Sequence, residues 1–445
     1  MNIIIIGGGT AGYLAAYELQ TLNFINSITL IEDESLGIIG TGEGSTGLFT
    51  YFVDKAGERD FLKKTSSTYK LGVWYKNWGD DFIAPIDTPP VENKFDLYQS
   101  DYSIDETHIN AFLIRNGYNP YSNVNGKRWK TASSVAYHFD GHEVGQFFRS
   151  KCNNKVKIIN DSIETIESHD GKIIKLVGKS GSEYVGDHYA DCTGFARLFG
   201  RHFDLEWDDY SDYLLIDSSM PFQLPADIRN YTTAQAMDYG WCWEIPKRNN
   251  LGCGYNFSSK FISNEQALEE CRKIYGDITP VKFIKYQPGC YKTSMGSNWN
   301  VIGIAGGFLE PLEATTIHTS ILNIFSMIDV LAGDQPIDLH NELTYEMSQD
   351  MRDFIQLHYF CGRSDTEFWK MFDTYQVALS DTQKVQLDLI KNNKLESAFR
   401  FIGYDLLYPM LKGMNKTSSS NTRPKNELLT YIEAFNKLGY FKPYE

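Results

Sequence analysis

The sequence predicts an α/β protein: a Rossmann-like dinucleotide fold, interrupted by a β-rich insertion and followed by a mainly helical C-terminal module. Three observations carry this expectation. A β-branched run, Asn2 to Ile6, leads into the glycine cluster Gly7-Gly8-Gly9-Thr10-Ala11-Gly12 and then into a helical pattern from Tyr13 to Leu22. A second apolar run, SITLIE at 27–32, completes a strand, glycine turn, helix, strand order. From about residue 315 the pattern turns helical, through TTIHTSILNIFSMIDVLAG, NELTYEMSQDMRDFIQLHYF and NELLTYIEAFNKL.

Taken in order, YKLGVWYKNW (69–78) alternates as one strand, which puts Lys70 and Lys76 on a shared face. IAPIDTPPVENKFD (83–96) has no regular period and reads as a long surface loop. HFDGHEVGQFFRSK predicts a helix over about 140–151. The runs VKII, IETIE and KIIKLV read as antiparallel strands, after which HYADCTG returns to the nucleotide sheet. Residues 210–290 are strand-rich and aromatic, a second sheet, and NVIGIAGG (300–307) signals a buried strand. GMNKTSSSNTRPKN (413–426) is polar and loop-like.

Composition narrows the function. The chain has 445 residues, 42% of them apolar, enough for one large or two medium domains. With 42 basic against 57 acidic residues the net charge is −15, which opposes nucleic-acid binding. The seven scattered cysteines contain no C-x-x-C pair and read as reduced thiols of a cytoplasmic protein. No stretch stands out as a run of about 18 to 20 apolar residues that would span a membrane. HFDGH gives His138 and His142 without an evident third metal ligand, and both read as structural.

The glycine cluster fits G-x-G-x-x-G, the turn that lets a backbone approach a pyrophosphate at a helix N-terminus. Gly7, Gly9, Thr10, Ala11 and Gly12 are the expected nucleotide contacts. Glu32, twenty residues past Gly12, is placed to accept from ribose hydroxyls. FAD is favoured over NAD, because the fold is interrupted by a β-rich insertion and resumes near DCTG (191–194). IGTGEGST (39–46) sets glycines around Glu43 and Gly44, either a backbone cradle for the flavin or a flexible turn. In FLEPLEATTIHTS, Glu310 and Glu313 precede a helix whose first amides, at Thr315 and Thr316, suit an anion such as halide or phosphate. Lys70 is either an exposed strand lysine or a buried one with a shifted pKa.

GGGTAG together with WCWEIP, a W-x-W-x-I-P segment, resembles the flavin-dependent tryptophan halogenase family. GTGEGST, YKLGVWYKNW, HFDGHEV, ADCTG, SDYLLIDS, FLEPLEAT and RDFIQLHYF agree with it, from about Asn2 to Trp369. The resemblance implies an FAD-binding fold of the flavin monooxygenase type over 1–330, with β insertions at about 68–140 and 205–295, and a substrate-side helical module over 331–445. It implies FADH2 from a separate flavin reductase, oxidation of chloride, bromide or iodide to hypohalous acid, and transfer through a tunnel to a lysine beside a small aromatic substrate. Lys70 and Glu313 match the family's catalytic pair, and Ile304 and Ile317 join the cofactor contacts. Trp241, Trp243, Ile245 and Pro246 would form a barrier that keeps organic molecules from the flavin, although packing alone also accounts for two tryptophans on one strand face. The family's Ser-Thr-Gly is Ala314-Thr315-Thr316 here. Loss of that glycine restricts the backbone and points to a larger, more easily oxidised halide. No equivalents of the family's tryptophan-holding aromatics are recognisable, so an indole, phenol or similar arene is the expected substrate. An aromatic hydroxylase and an inactive flavin-binding protein are the alternatives. No nucleic-acid or membrane partner is expected, and a homo-oligomer is open. The richness in Ile, Asn, Lys, Tyr and Phe resembles a phage-encoded member.

Overall fold

Ile3, Ile4, Ile5 and Ile6 are each at most 4% exposed, so the opening strand is apolar on both faces and needs a layer above and below. In the computed structural model, which describes residues 1–36, 43–89, 91–92, 94–417 and 422–444, strand Asn2–Ile6 is the centre of a five-stranded parallel sheet. Ser27–Glu32 and His188–Asp191 flank it, with Val156–Asn160 and Trp299–Val301 at the two edges. The VKII segment is therefore a parallel edge strand, contrary to the antiparallel expectation. Helix Gly141–Arg149, packed on helix Thr10–Leu19, supplies the crossover that a parallel strand requires. Ile163–His169, Lys172–Gly178 and Glu183–Tyr184 do form the expected antiparallel sheet.

The segment read as one strand over 69–78 is two. Thr68–Lys70 pairs with Ala136–Phe139, which on its other side pairs with Glu43–Gly44, giving a three-stranded ribbon. Gly72–Lys76 belongs instead to a seven-stranded sheet, beside Thr232–Met237 and Phe82–Pro85. Leu71 is the corner: its N–H donates to the Asn230 carbonyl (2.7 Å) and its own carbonyl accepts from Ile86 (3.0 Å). Gly72 passes so close to the next strand that a Cβ would lie 2.6 Å from the Ala84 carbonyl oxygen. Lys70 and Lys76 thus share no face. Lys70 is 3% exposed, whereas Lys76 lies over the Trp74 ring at 5.7 Å.

The long loop expected at 83–96 is also corrected, since Phe82–Pro85 is a buried strand and Lys94–Gln99 a helix. Strands Ser218–Leu224, Leu251–Phe257 and Gly240–Pro246 complete most of the second sheet, as expected for 210–290. Helix Thr315–Ala332 departs from the reading that no segment could span a bilayer. With the preceding turn it reaches a mean hydropathy of 1.2 over residues Leu312–Ala332. Its apolar side, Ile317, Ile321, Ile324 and Met327, fills the core beside the nucleotide sheet. The C-terminal helices share one core with the seven-stranded sheet, where Tyr75, Trp78 and Phe82 meet Phe354, Tyr359, Trp369 and Tyr408. The tail returns too: the Tyr69 N–H donates to the Tyr444 hydroxyl at 2.9 Å.

Candidate active site

The nucleotide turn is built by absence of side chains. Gly7 has φ +111°, and a Cβ there would lie 2.3 Å from the Cys192 carbonyl oxygen; one on Gly12 would lie 2.0 Å from the Gly7 carbonyl oxygen. Gly9 faces open space, and among the described residues no side chain caps helix Thr10–Leu19, so the amides opening that helix at Thr10 and Ala11 stay available to an anion. Glu32 ends its strand beside Gly8, where the Tyr13 hydroxyl donates to it at 2.7 Å and Arg149 pairs with it. A ribose hydroxyl there would share a carboxylate already fixed in place. Glu43 packs against Gly141 near Thr10, and burial, then repulsion from Asp140, push its pKa up to about 7. The first half of IGTGEGST, residues 39–42, lies outside the described residues. The uncapped helix, the glycine cradle and the adjacent acid fit FAD.

Beyond this turn a cavity of about 250 Å³ gathers most of the candidates. Glu43, Gly44, Ile304, Thr316 and Ile317 line it together with Lys70, Glu313, Trp241, Trp243 and Ile245. Lys70 and Glu313, 243 positions apart in sequence, therefore meet in one chamber. Burial drives the Lys70 pKa down, partly countered by the Glu313 charge, which enlarges the fraction of neutral amine. A Cβ on Gly44 would lie 3.2 Å from Lys70 Nζ. Gly44 thus makes room for the lysine, a role that its reading as a flavin cradle had not included.

Glu313 and Ala314 both take left-handed backbone, with φ +62° and +54°. The conformational cost expected from the missing glycine at Thr316 falls here instead, because Thr315 and Thr316 begin a regular helix. Among the described residues no side chain caps that helix, so its first amides are available to an anion. Thr316 lines the cavity that holds Lys70, and both threonines border a smaller one of about 50 Å³.

Trp241 and Trp243 project from strand Gly240–Pro246 to the same face, with ring centroids 6.4 Å apart. Trp243 packs against Gly254, where a Cβ would come within 2.1 Å of its ring. Trp241 Nε1 donates to Glu310 Oε1 at 3.0 Å, and the Tyr359 hydroxyl donates to the same oxygen at 2.6 Å. Burial raises the Glu310 pKa to about 7 despite both donors. Pro246 ends the strand, and its carbonyl accepts from Thr68 Oγ1 at 2.6 Å, tying the tryptophan strand to the Lys70 strand. His138 bridges Thr68 and Thr232 in this wall, at 3.1 and 2.9 Å.

Sequence reasoning missed the residues behind Glu313. Tyr75 donates to its Oε1, and His358 Nε2 lies 3.4 Å from the same oxygen. Burial works to raise the Glu313 pKa, but the contacts with His358, Lys70 and Tyr75 prevail and hold it below the usual range. RDFIQLHYF was noted as a segment, and the histidine in it was the available signal.

Fold and cavity together define the class: an FAD-binding oxidoreductase of the monooxygenase type. The tryptophan halogenase family profile matches residues 2–408, and the chain belongs to that family. It is 29% identical over 437 residues to the tryptophan 6-halogenase ThaL of Streptomyces albogriseolus, across 86% of this chain and 81% of that protein. It is 28% identical over 434 residues to the tryptophan 7-halogenase RebH of Lentzea aerocolonigenes, across 88% and 82%. Among solved structures, Tar14, a tryptophan C-6 flavin-dependent halogenase (chlorinase) from taromycin biosynthesis, matches with a TM-score of 0.87 over 100% of this chain and 98% of its own. Its sequence identity is 24%, so that likeness speaks for the fold. Membership makes the protein a halogenase that works with FAD and a halide.

Proposed function

We propose a two-component halogenase: a separate reductase delivers FADH2, and Lys70 and Glu313 direct halogenation of an electron-rich indole- or phenol-like arene. The observation that supports it best is the shared cavity joining Lys70 and Glu313 to Ile304, Ile317 and the paired tryptophans. When bound, the reduced flavin and O2 supply the two-electron oxidation of halide to hypohalous acid. Gly7, Gly9, Thr10, Ala11 and Gly12 hold the phosphates, Glu32 the ribose, and Glu43, Gly44, Ile304 and Ile317 border the ring. The amides of Thr315 and Thr316 bind the halide. Trp241, Trp243, Ile245 and Pro246 narrow the passage so that a small acid passes and an arene does not.

Burial lowers the Lys70 pKa, partly countered by the Glu313 charge, and so enlarges the share of free amine. That amine takes the halogen from hypohalous acid, forming an N–halogen bond and releasing water. The arene then attacks the halogen: a carbon–halogen bond forms as the nitrogen–halogen bond breaks. Glu313 receives the ring proton and returns it to the lysine nitrogen. Residues 1–330 serve the flavin and 331–445 the substrate side, and seven free thiols suit a cytoplasmic setting.

The test is incubation with FAD, a flavin reductase, NADH and bromide, with a panel of arenes read by mass spectrometry. Brominated product that requires bromide and disappears in Lys70→Ala is expected. Hydroxylated product formed without halide would overturn the proposal.

A further inference from the structure

Glu313 has to present one oxygen to the cavity from a left-handed turn, where backbone rigidity alone does not fix its side chain. What surrounds that carboxylate is therefore decisive. Lys70 faces it from strand Thr68–Lys70, Tyr75 from strand Gly72–Lys76 and His358 from helix Ile337–Tyr359, while Glu310 stands on its own turn. Tyr75 is fully buried and does not line the cavity, so it acts on Glu313 from behind.

Its ring cannot turn away. Phe82 stacks on it at 4.7 Å with a 9° interplanar angle, His358 covers it at 5.4 Å, and Trp78 meets its edge at 5.5 Å. The hydroxyl so held donates to Glu313 Oε1. His358 is the second contact on that oxygen. Its Nδ1 lies 2.9 Å from the Phe354 carbonyl, an acceptor, so the proton of the neutral ring belongs on Nδ1. As the cation His358 also donates from Nε2 to Glu313, across 3.4 Å, and lowers its pKa together with Tyr75; the phenol donates in either state of the ring.

We propose that Tyr75 is a positioning residue of the halogenation step: its hydroxyl fixes the Glu313 carboxylate in the orientation from which it takes the arene proton. This rests on the reading of Glu313 as that proton acceptor. A charge-assisted hydrogen bond from a preorganised donor favours the ionised form, so Tyr75 adds to the larger effects of His358 and Lys70 that hold the Glu313 pKa down. Burial first, and then the Glu313 charge, hold the Tyr75 pKa far above its ordinary value, so the phenol remains a donor throughout the working range.

Three proteins are compared: the full chain, Tyr75→Phe, and a chain carrying 3-fluorotyrosine at position 75, a stronger donor of nearly the same shape. In Tyr75→Phe, arene halogenation falls by about 10- to 100-fold, the range expected for loss of a hydrogen bond to a charged group. Hypohalous acid formation, read with a β-diketone trap, stays near that of the parent. The acid limb of the kcat profile moves up by about one pH unit or more, and the fluorotyrosine chain moves it down. An unchanged kcat and acid limb in Tyr75→Phe, or a parallel loss of FAD binding and of both reactions, would overturn the proposal. A second readout separates it from the halogenase reading: infrared difference spectra of the Glu313 carboxyl, assigned through Glu313→Gln, follow its titration without turnover. A titration raised in Tyr75→Phe upholds the contact even if no arene is halogenated, and an unmoved titration removes it even if halogenation is seen.

Discussion

Glu310→Gln isolates the energetics of the turn beneath the cavity. The Glu310 side chain is fully buried, with Oε1 accepting from Trp241 and Tyr359 and Oε2 without a partner among the described residues. Burial lifts its pKa from 4.5 to about 7. Below the lower value the carboxyl is protonated in both states and exacts nothing. Between the two, the unfolded chain ionises first, so stability falls as pH rises; above the upper value the full penalty applies. At about 1.4 kcal/mol per pH unit, that penalty is about 3 kcal/mol. Glutamine keeps the accepting oxygen for both donors and removes the ionisation. Urea unfolding of the two proteins from about pH 5 to about pH 8 reads the difference. The variant should gain on the parent by about 2 to 3 kcal/mol as pH rises across that span. Glu43 and Asp87, also raised to about 7 by burial, act equally in both proteins and cancel. Parallel stability curves would refute the reasoning, because they would mean that Glu310 ionises in the fold as easily as outside it.

Gly254→Ala drives a methyl to within 2.1 Å of the Trp243 ring; it should lower the urea-unfolding stability by about 1 to 3 kcal/mol and push the indole into the cavity it borders. Ala314→Gly removes a left-handed alanine at φ +54°; after the extra freedom glycine has when unfolded, unfolding curves should show a gain of about 0.5 to 1 kcal/mol.

The nucleotide half of the fold was legible because its signals are local. Four isoleucines, a glycine turn and an acid twenty residues on are each set by near neighbours, and the strand, turn and helix formed accordingly. The Trp-x-Trp face was legible for the same reason, through the two-residue period of a strand. Lys70 and Glu313 came from the family resemblance, since spacing alone left the lysine undecided between surface and core. The failures share one cause. Periodicity continues smoothly through Leu71, yet the chain changes sheets there, and the contact that directs it, Leu71 to Asn230, is 159 positions distant. Tyr75 likewise read as an ordinary apolar strand residue, because its partner Glu313 lies 238 positions away.

The three-stranded ribbon carries a consequence for engineering. Gly44 and Lys70 stand on its opposite borders, with the middle strand between them and Lys70 two residues out of line with Gly44 in the pairing register. The lysine side chain crosses to Gly44, where its Cδ and Nζ would lie 3.6 and 3.2 Å from a Cβ. Position 44 thus sets the place of the lysine, because a side chain there would meet both the stem and the amine. Because paired backbone strands hold both residues, loops elsewhere can be rebuilt while the placing of the lysine against Gly44 stays put.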